Sequence, residues 1–224
     1  MALSDYEPMA QVNTHTSSSI NLPVIEEDEA GSDVVALFDH FRSHFGRPDV
    51  PGILKCFATH PPLLKHMMEL SGSLIFSDGH LSRRCKEMIA TLVSSQNDCP
   101  YCADSHSFAL RMNGGSAEVL CAIQQNDLSS SALTPAEQGL LSFVAKVNAH
   151  SHEIVRADVD ALHQLGWKHL EIAEAIHVAA LFATFNRVVN AFGLPSQGLL
   201  ALYENAADPN DESVRSRTIR PQSS

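Results

Sequence analysis

An all-α fold is the class this sequence predicts, and three observations carry the prediction. Apolar residues recur at three- and four-residue intervals from Val34 onward, and helix-capping residues bound the runs. No segment alternates apolar and polar residues over the length of a strand. The expected architecture is a compact helical domain of about eight helices over residues 32–205. An extended or disordered segment is expected at 1–31 and a polar tail at 206–224, where Pro209, Asp211, Glu212 and three arginines leave little to bury.

The elements follow in order. Asp33 to Phe45 carries Val34, Leu37, Phe38, Phe41 and Phe45 at helical spacing, and Gly46-Arg47-Pro48 stops it. Pro51 to His60 forms a short second helix. Pro61 and Pro62 suit the first turn of a third, where a missing amide donor costs nothing, and this helix runs through Leu63, Leu64, Met67, Met68, Leu70 and Leu74 before Gly79 ends it. Ser82 opens a long helix from Arg83 to about Gln96 with Cys85, Met88, Ile89, Leu92 and Val93 as its apolar face. Asn97 and Asp98 read as caps of a helix that starts at Cys99, tolerates Pro100 in its first turn and ends at Asn113-Gly114-Gly115.

Ser116 caps Ala117 to Gln125, and Thr134-Pro135-Ala136-Glu137 is a capping box that launches a helix to about Asn148. Arg156 to Leu165 closes at Gly166, and Lys168 to Phe192, the longest helix, closes at Gly193 with Pro195 beyond. In it His177 is expected to be a partly buried, hydrogen-bonded core histidine. Phe182, Phe185 and Phe192 read as core or subunit interface, and Trp167 as a packing anchor at a helix junction.

A chain of 224 residues, 44% of them hydrophobic, buries one substantial core without a linker. Its formal charge of -11 argues against nucleic acid and anionic membrane surfaces as partners, and Glu26-Glu27-Asp28-Glu29 reads as a solvated lead-in. Met1 to Ser19 has neither a basic start nor an apolar run, and stretches such as Val178 to Ala183 are too short to cross a bilayer, so a cytoplasmic protein is expected. Five cysteines with a single close pair fit a reducing compartment, with Cys56, Cys85 and Cys121 as small buried hydrophobes.

The chemistry concentrates at Asp98-Cys99-Pro100-Tyr101-Cys102-Ala103-Asp104-Ser105-His106. On a helix Cys99, Cys102 and His106 stand at i, i+3 and i+7 and share one stripe. Helix-terminal amides and an imidazole one turn on both favour thiolate over thiol, and a second cysteine can capture an oxidised sulfur. Glu87 lies on the preceding helix off its apolar face, in a stripe with Ala90, Thr91 and Ser94, small enough to admit the cysteine helix. There it could orient His106 as part of a carboxylate, imidazole and thiol relay, or it could form an ordinary ion pair with Arg83 one turn before. Cys99, Cys102 and His106 could also be three ligands of a structural zinc with Cys85, Cys121 or His177 as the fourth, although no second ligand pair stands at zinc-site spacing.

The run from Leu81 to Leu110, with E-x11-C-x2-C-x3-H met at Glu87, Cys99, Cys102 and His106, resembles the core of the alkylhydroperoxidase D and carboxymuconolactone decarboxylase superfamily, in its peroxidase-related branch. The resemblance extends from about Val50 to Leu200 and includes Phe185 to Gly193. It implies an oligomeric helical enzyme that reduces hydroperoxides without haem, flavin or metal and is reset by an external dithiol. By position Cys102 matches the attacking cysteine, Cys99 its resolving partner, and Glu87 with His106 the proton relay. The residue before the second cysteine is a relay histidine in alkylhydroperoxidase D and is Tyr101 here, a poor base near neutral pH. Helix-end electrostatics alone could favour Cys99 as the first nucleophile. The rival functions are a lactone decarboxylase of the same superfamily, whose members generally lack the cysteine pair, and a non-catalytic thiol redox sensor.

Overall fold

The computed structural model describes residues 20–206 except 47 and 78, so most of the expected N-terminal segment and the tail beyond 206 lie outside the described residues. Ten α-helices occur among the described residues, and no strand. They are α1 (Ser32–Phe45), α2 (Gly52–Phe57), α3 (Pro61–Leu74), α4 (Arg83–Gln96), α5 (Pro100–Met112), α6 (Ala117–Gln124), α7 (Pro135–His150), α8 (Arg156–Gln164), α9 (His169–Phe192) and α10 (Leu199–Ala206).

Local chemistry explains most boundaries. Ser82 accepts from the Cys85 amide and Ser116 from the Val119 amide, each at 3.2 Å, and Thr134 and Glu137 form the predicted reciprocal capping box. Gly193 ends α9 at φ 78°, in the left-handed region that a side chain resists.

The α4 helix is the axis of the fold and packs against α5, α6, α7 and α9. Every residue from Cys85 to Ser94 is buried. The core around it combines Met88, Ile89, Leu92 and Val93 with Leu120 and Ile123 of α6, Leu140 and Val144 of α7, and Val178 and Phe182 of α9. At roughly 1.5–3 kcal/mol for each fully buried large apolar side chain, this cluster is the main source of stability. Trp167 anchors the α8–α9 junction as expected, its indole N–H donating to the Ala136 carbonyl at 2.9 Å.

A buried ion pair also lies in the core. Lys86, 1% exposed, sits 2.8 Å from Glu174 and donates to the carbonyls of Leu74 and Ser77, while Glu174 accepts the Leu81 amide at 2.6 Å. Together they pin the α3–α4 connection. A Cβ at Gly79 would collide with the Glu174 carboxylate, so a larger residue there would push that carboxylate away from Lys86.

Several expectations need correction. Asp98 adopts φ 48°, and Cys99 is the N-cap of α5 rather than a residue of its first turn, because Pro100 occupies the first helical position. Cys121 is exposed, since Val119, Leu120, Ala122 and Ile123 turn the other face of α6 inward. His177 is exposed as well, on a stripe of α9 with Ala180 and Thr184 that faces away from α4. By length and composition α9 could span a bilayer, but 56% of its most apolar window is buried inside the protein.

Candidate active site

The α4–α5 connection builds the thiol site. The Cys99 amide donates to the Ser94 carbonyl at 3.0 Å and the Ala103 amide to the Cys99 carbonyl at 2.8 Å, so the turn is closed by backbone bonds on both sides of Cys99. Cys102 follows in the first turn of α5. Both cysteines are buried, at 1% and 3% exposure, yet they open in different directions. Cys102 lines a cavity of about 640 Å³, whereas Cys99 borders a smaller hollow of about 260 Å³ with Ser94, Ser95, Asp98, Pro100 and Ala103.

The sequence left Glu87 between two roles, and the structure gives it both partners. Its carboxylate is fully buried; one oxygen lies 2.7 Å from His106 Nδ1 and the other accepts Arg83 Nε–H at 2.6 Å. Burial alone would raise its pKa, but His106 and then Arg83 outweigh that effect and hold the carboxyl below its ordinary range. An ionised Glu87 can only accept, so His106 donates from Nδ1 and leaves Nε2 on the opposite edge of the ring. That ring stands edge-on to Phe182, 4.4 Å between centroids, and forms part of the same cavity wall as Cys102.

The two thiols do not titrate alike. The adjacent Cys102 thiol is the largest influence on Cys99 and, despite burial and with help from the Cys102 amide and Asn186, brings it down to about 7. Cys102 is pushed upward, first by its hydrogen bond to Cys99, then by burial and by the charge on Cys99. Cys99, the sulfur that faces away from the large cavity, is therefore the thiol poised to ionise near neutral pH while Cys102 holds its proton. Cys56 and Cys85, buried as expected, are both raised to about 12, chiefly by desolvation.

Tyr101, one residue before Cys102, turns its hydroxyl to accept the Ile53 amide at 3.3 Å and so ties α5 to α2. It also contributes to the cavity wall. Phe182 and Phe185 are core residues that line the cavity, together with Phe41 and Phe45 of α1, Phe57 of α2 and Phe76. The sequence reading missed Arg83 as a cavity residue, its guanidinium 4.8 Å over Phe76, and it missed Asn186. Asn186 is completely buried, and a carboxamide in the middle of the longest apolar run was the signal that could have found it. Among the described residues no group of three or more His, Cys, Asp or Glu side chains could hold a metal ion, and Cys121 and His177 face solvent.

An all-α bundle with a cysteine pair at the start of one central helix and a buried carboxylate–imidazole pair beside it defines a class of thiol-bearing helical proteins. The carboxymuconolactone decarboxylase family model matches residues 61–124. A peroxidase-related protein from Ralstonia eutropha, described as an alkylhydroperoxidase D core, superimposes with a TM-score of 0.73 at 24% identity over 83% of this chain and 96% of its own. A peroxidase-related protein from a Silicibacter species gives 0.72 at 26% identity, covering 84% and 97%. A debrominase, solved alone and with 2,3,4-tribromopyrrole, shares the fold at a TM-score of 0.65 and 17–18% identity. No curated protein matches the sequence significantly. Over residues 61–124 the chain resembles the carboxymuconolactone decarboxylase family, and it shares its helical fold with the peroxidase-related structures.

Proposed function

We propose that the protein is a cysteine-based peroxidase that reduces hydrogen peroxide or organic hydroperoxides through a Cys99–Cys102 dithiol–disulfide cycle. The observation that carries this reading is that Cys102 and the Glu87-bound His106 form one wall of the same cavity, with Cys99 immediately behind. Cys102 keeps its proton until substrate arrives. As its sulfur attacks the terminal peroxide oxygen, the O–O bond breaks, His106 takes the thiol proton and returns it to the leaving alkoxide, and the net step is thiol plus hydroperoxide to sulfenic acid plus alcohol. Glu87 holds the imidazole in the accepting tautomer and stabilises it while charged.

The Cys99 thiolate then attacks the Cys102 sulfenic sulfur. Hydroxide leaves and takes one proton from solvent to become water, and the disulfide that remains is reduced by an external dithiol. This scheme needs no cofactor from outside the chain. A homo-oligomer in the cytoplasm, acting on a freely diffusing hydroperoxide, completes the reading. The aromatic lining favours an organic hydroperoxide over hydrogen peroxide.

The test is steady peroxide consumption with a dithiol reductant, combined with a sulfenic-acid trap in Cys99→Ser and Cys102→Ser proteins. Turnover by the unaltered protein and an adduct only where Cys102 is retained support the proposal; an adduct only where Cys99 is retained reverses the two roles. A single stoichiometric oxidation accompanied by a change in oligomer size would identify a redox sensor instead.

A further inference from the structure

A network of carboxamides runs behind the cysteine pair, on the side away from the large cavity. Asn97 Nδ2–H donates to Asn186 Oδ1 at 3.0 Å and to Asn148 Oδ1 at 3.1 Å, and Asn148 Nδ2–H donates to Gln96 Oε1 at 3.2 Å and Asn97 Oδ1 at 3.1 Å. Asn190 adds donors to the backbone carbonyls of Asn97 and Asp98 at 3.1 and 3.3 Å. Three helices, α4, α7 and α9, thereby fix the residues that lead directly into Cys99.

One consequence concerns the orientation of Asn186. Its oxygen is committed to Asn97, so its Nδ2 must point the other way, where one hydrogen goes to Ser94 Oγ at 3.0 Å. Ser94 is itself buried, and its carbonyl accepts the Cys99 amide. The second hydrogen of the Asn186 amide remains for the neighbouring thiols, both of which feel a hydrogen bond from this side chain. An amide donor held in a dry site strengthens a nearby anion without adding a charge.

We propose that Asn186 is a positioning residue for the disulfide-forming half of the cycle, presenting its carboxamide N–H to the Cys99 sulfur and holding that sulfur as the waiting thiolate. The step it serves rests on the peroxidase reading above, whereas its effect on Cys99 ionisation does not. His106 and Glu87 serve Cys102 from the cavity side; Asn186 serves Cys99 from the opposite side. Asn186 makes a lowering contribution to both thiols, and at Cys99 it acts together with the larger lowering influence of the Cys102 thiol. The other ionisable groups around the pair are Cys56 from α2, Arg83 and Glu87 from α4, Asp98 in the turn before Cys99, and Tyr101 and His106 from α5.

Asn186→Asp keeps the shape but replaces the donor with a repelling oxygen. Asn97→Ala, on the surface side of the network, leaves residue 186 intact while releasing the bond that orients it. The rate of iodoacetamide modification of Cys99 against pH is measured in reduced proteins that retain Cys102, with the modified residue identified by mass spectrometry. A rise of one pH unit in the Asn97→Ala midpoint would lower the thiolate fraction at pH 7 from about one half to about one tenth. Disulfide closure after a peroxide pulse would then slow roughly fivefold, with trapped Cys102 sulfenic acid accumulating, while the rate of first oxidation stays unchanged. Asn186→Asp would move the midpoint further in the same direction.

Unshifted midpoints in both variants, each with native circular dichroism, would overturn the assignment of Asn186 even if peroxide turnover is observed. Shifted midpoints in a protein that turns over no peroxide would retain the Asn186–Cys99 coupling and overturn the peroxidase reading. A slowing of first oxidation equal to the slowing of closure would assign a general structural role and refute the proposal.

Discussion

Replacing Glu87 with glutamine separates what the buried carboxylate does for stability from what it does for chemistry. The isosteric amide has one acceptor and one donor face where the carboxylate had two acceptors. Its oxygen can still receive Arg83 Nε–H at the 2.6 Å position, but its NH2 then meets His106 Nδ1, which must give up its hydrogen and become an acceptor. The bond count is kept, the bond to His106 becomes neutral and the bond to Arg83 keeps only its guanidinium charge, so the expected loss is about 1–2 kcal/mol. Arg83, 32% exposed along its side chain, retains access to water and adds little to that cost.

The imidazole pays in a different way: the hydrogen now sits on Nε2, and a nitrogen that should take the Cys102 proton already carries one. A general base in the wrong tautomer forfeits roughly 10²–10⁴ in rate. A thermal melt should show Tm lowered by about 2–8 °C for a chain of this size. Peroxide consumption at a temperature well below that melt should fall by at least two orders of magnitude. A variant with the melting loss and near-full activity would refute the relay and leave Glu87 as a structural anchor.

Other outcomes follow from the same geometry. Lys86→Met strands the Glu174 charge and the Leu74 and Ser77 carbonyls, and should cost about 3–5 kcal/mol in denaturant unfolding; Lys86→Met combined with Glu174→Gln should recover part of it, and a single-variant loss below about 1 kcal/mol would show the pair to be dispensable. Acid stability has a defined direction: Glu87 is lowered against its burial by His106 and Arg83, and Glu174 against its burial by Lys86 and the Leu81 amide, both from an ordinary value of 4.5. A carboxyl depressed in the folded state stabilises above its unfolded pKa, so melting temperature should hold above about pH 5 and fall as pH drops through the folded values. The Glu87→Gln protein should lose less between pH 5 and pH 3 than the unaltered one, and parallel curves would refute this linkage.

The sequence made the helices legible where local chemistry sets them. Ser82, Ser116 and the Thr134–Glu137 box each act within three residues of themselves, and the capping pattern names them without tertiary information. The α10 helix was not legible because its cap is remote: Asp104, 95 residues earlier, accepts the Leu199 amide at 2.9 Å. Cys99 was placed one step too far into its helix because the left-handed Asp98 turn has no glycine to announce it.

At the site, spacing alone brought Glu87 and His106 onto facing helices, since both follow from α4 and α5 being neighbours in chain and space. The partner of Lys86 is 88 residues away and the Asn186 amide that bonds Ser94 lies 92 residues on, distances at which periodicity carries no information. Cavity walls are equally silent, because Phe41, Phe45 and Phe76 have the same pattern whether they pack against each other or leave a void between them. His177 and Cys121 were misread for a related reason: residue type describes an average environment, and which face of a helix turns inward is decided by its neighbours.

Asp104 divides its carboxylate between the amides of Leu199 and Leu200, at 2.9 and 3.0 Å, and Tyr203 stacks edge-on to Phe108 one turn farther along the same helix. The helix that carries the thiols thus also carries the docking points for the last described helix, and Gln197 and Leu199 complete the cavity wall from that side. The start of α10 consequently forms part of the cavity wall, so a substitution there reaches the cavity directly. The same adjacency makes exposed Glu204 a natural attachment point for an environment-sensitive fluorophore, which would report on ligand entry from outside the chemistry.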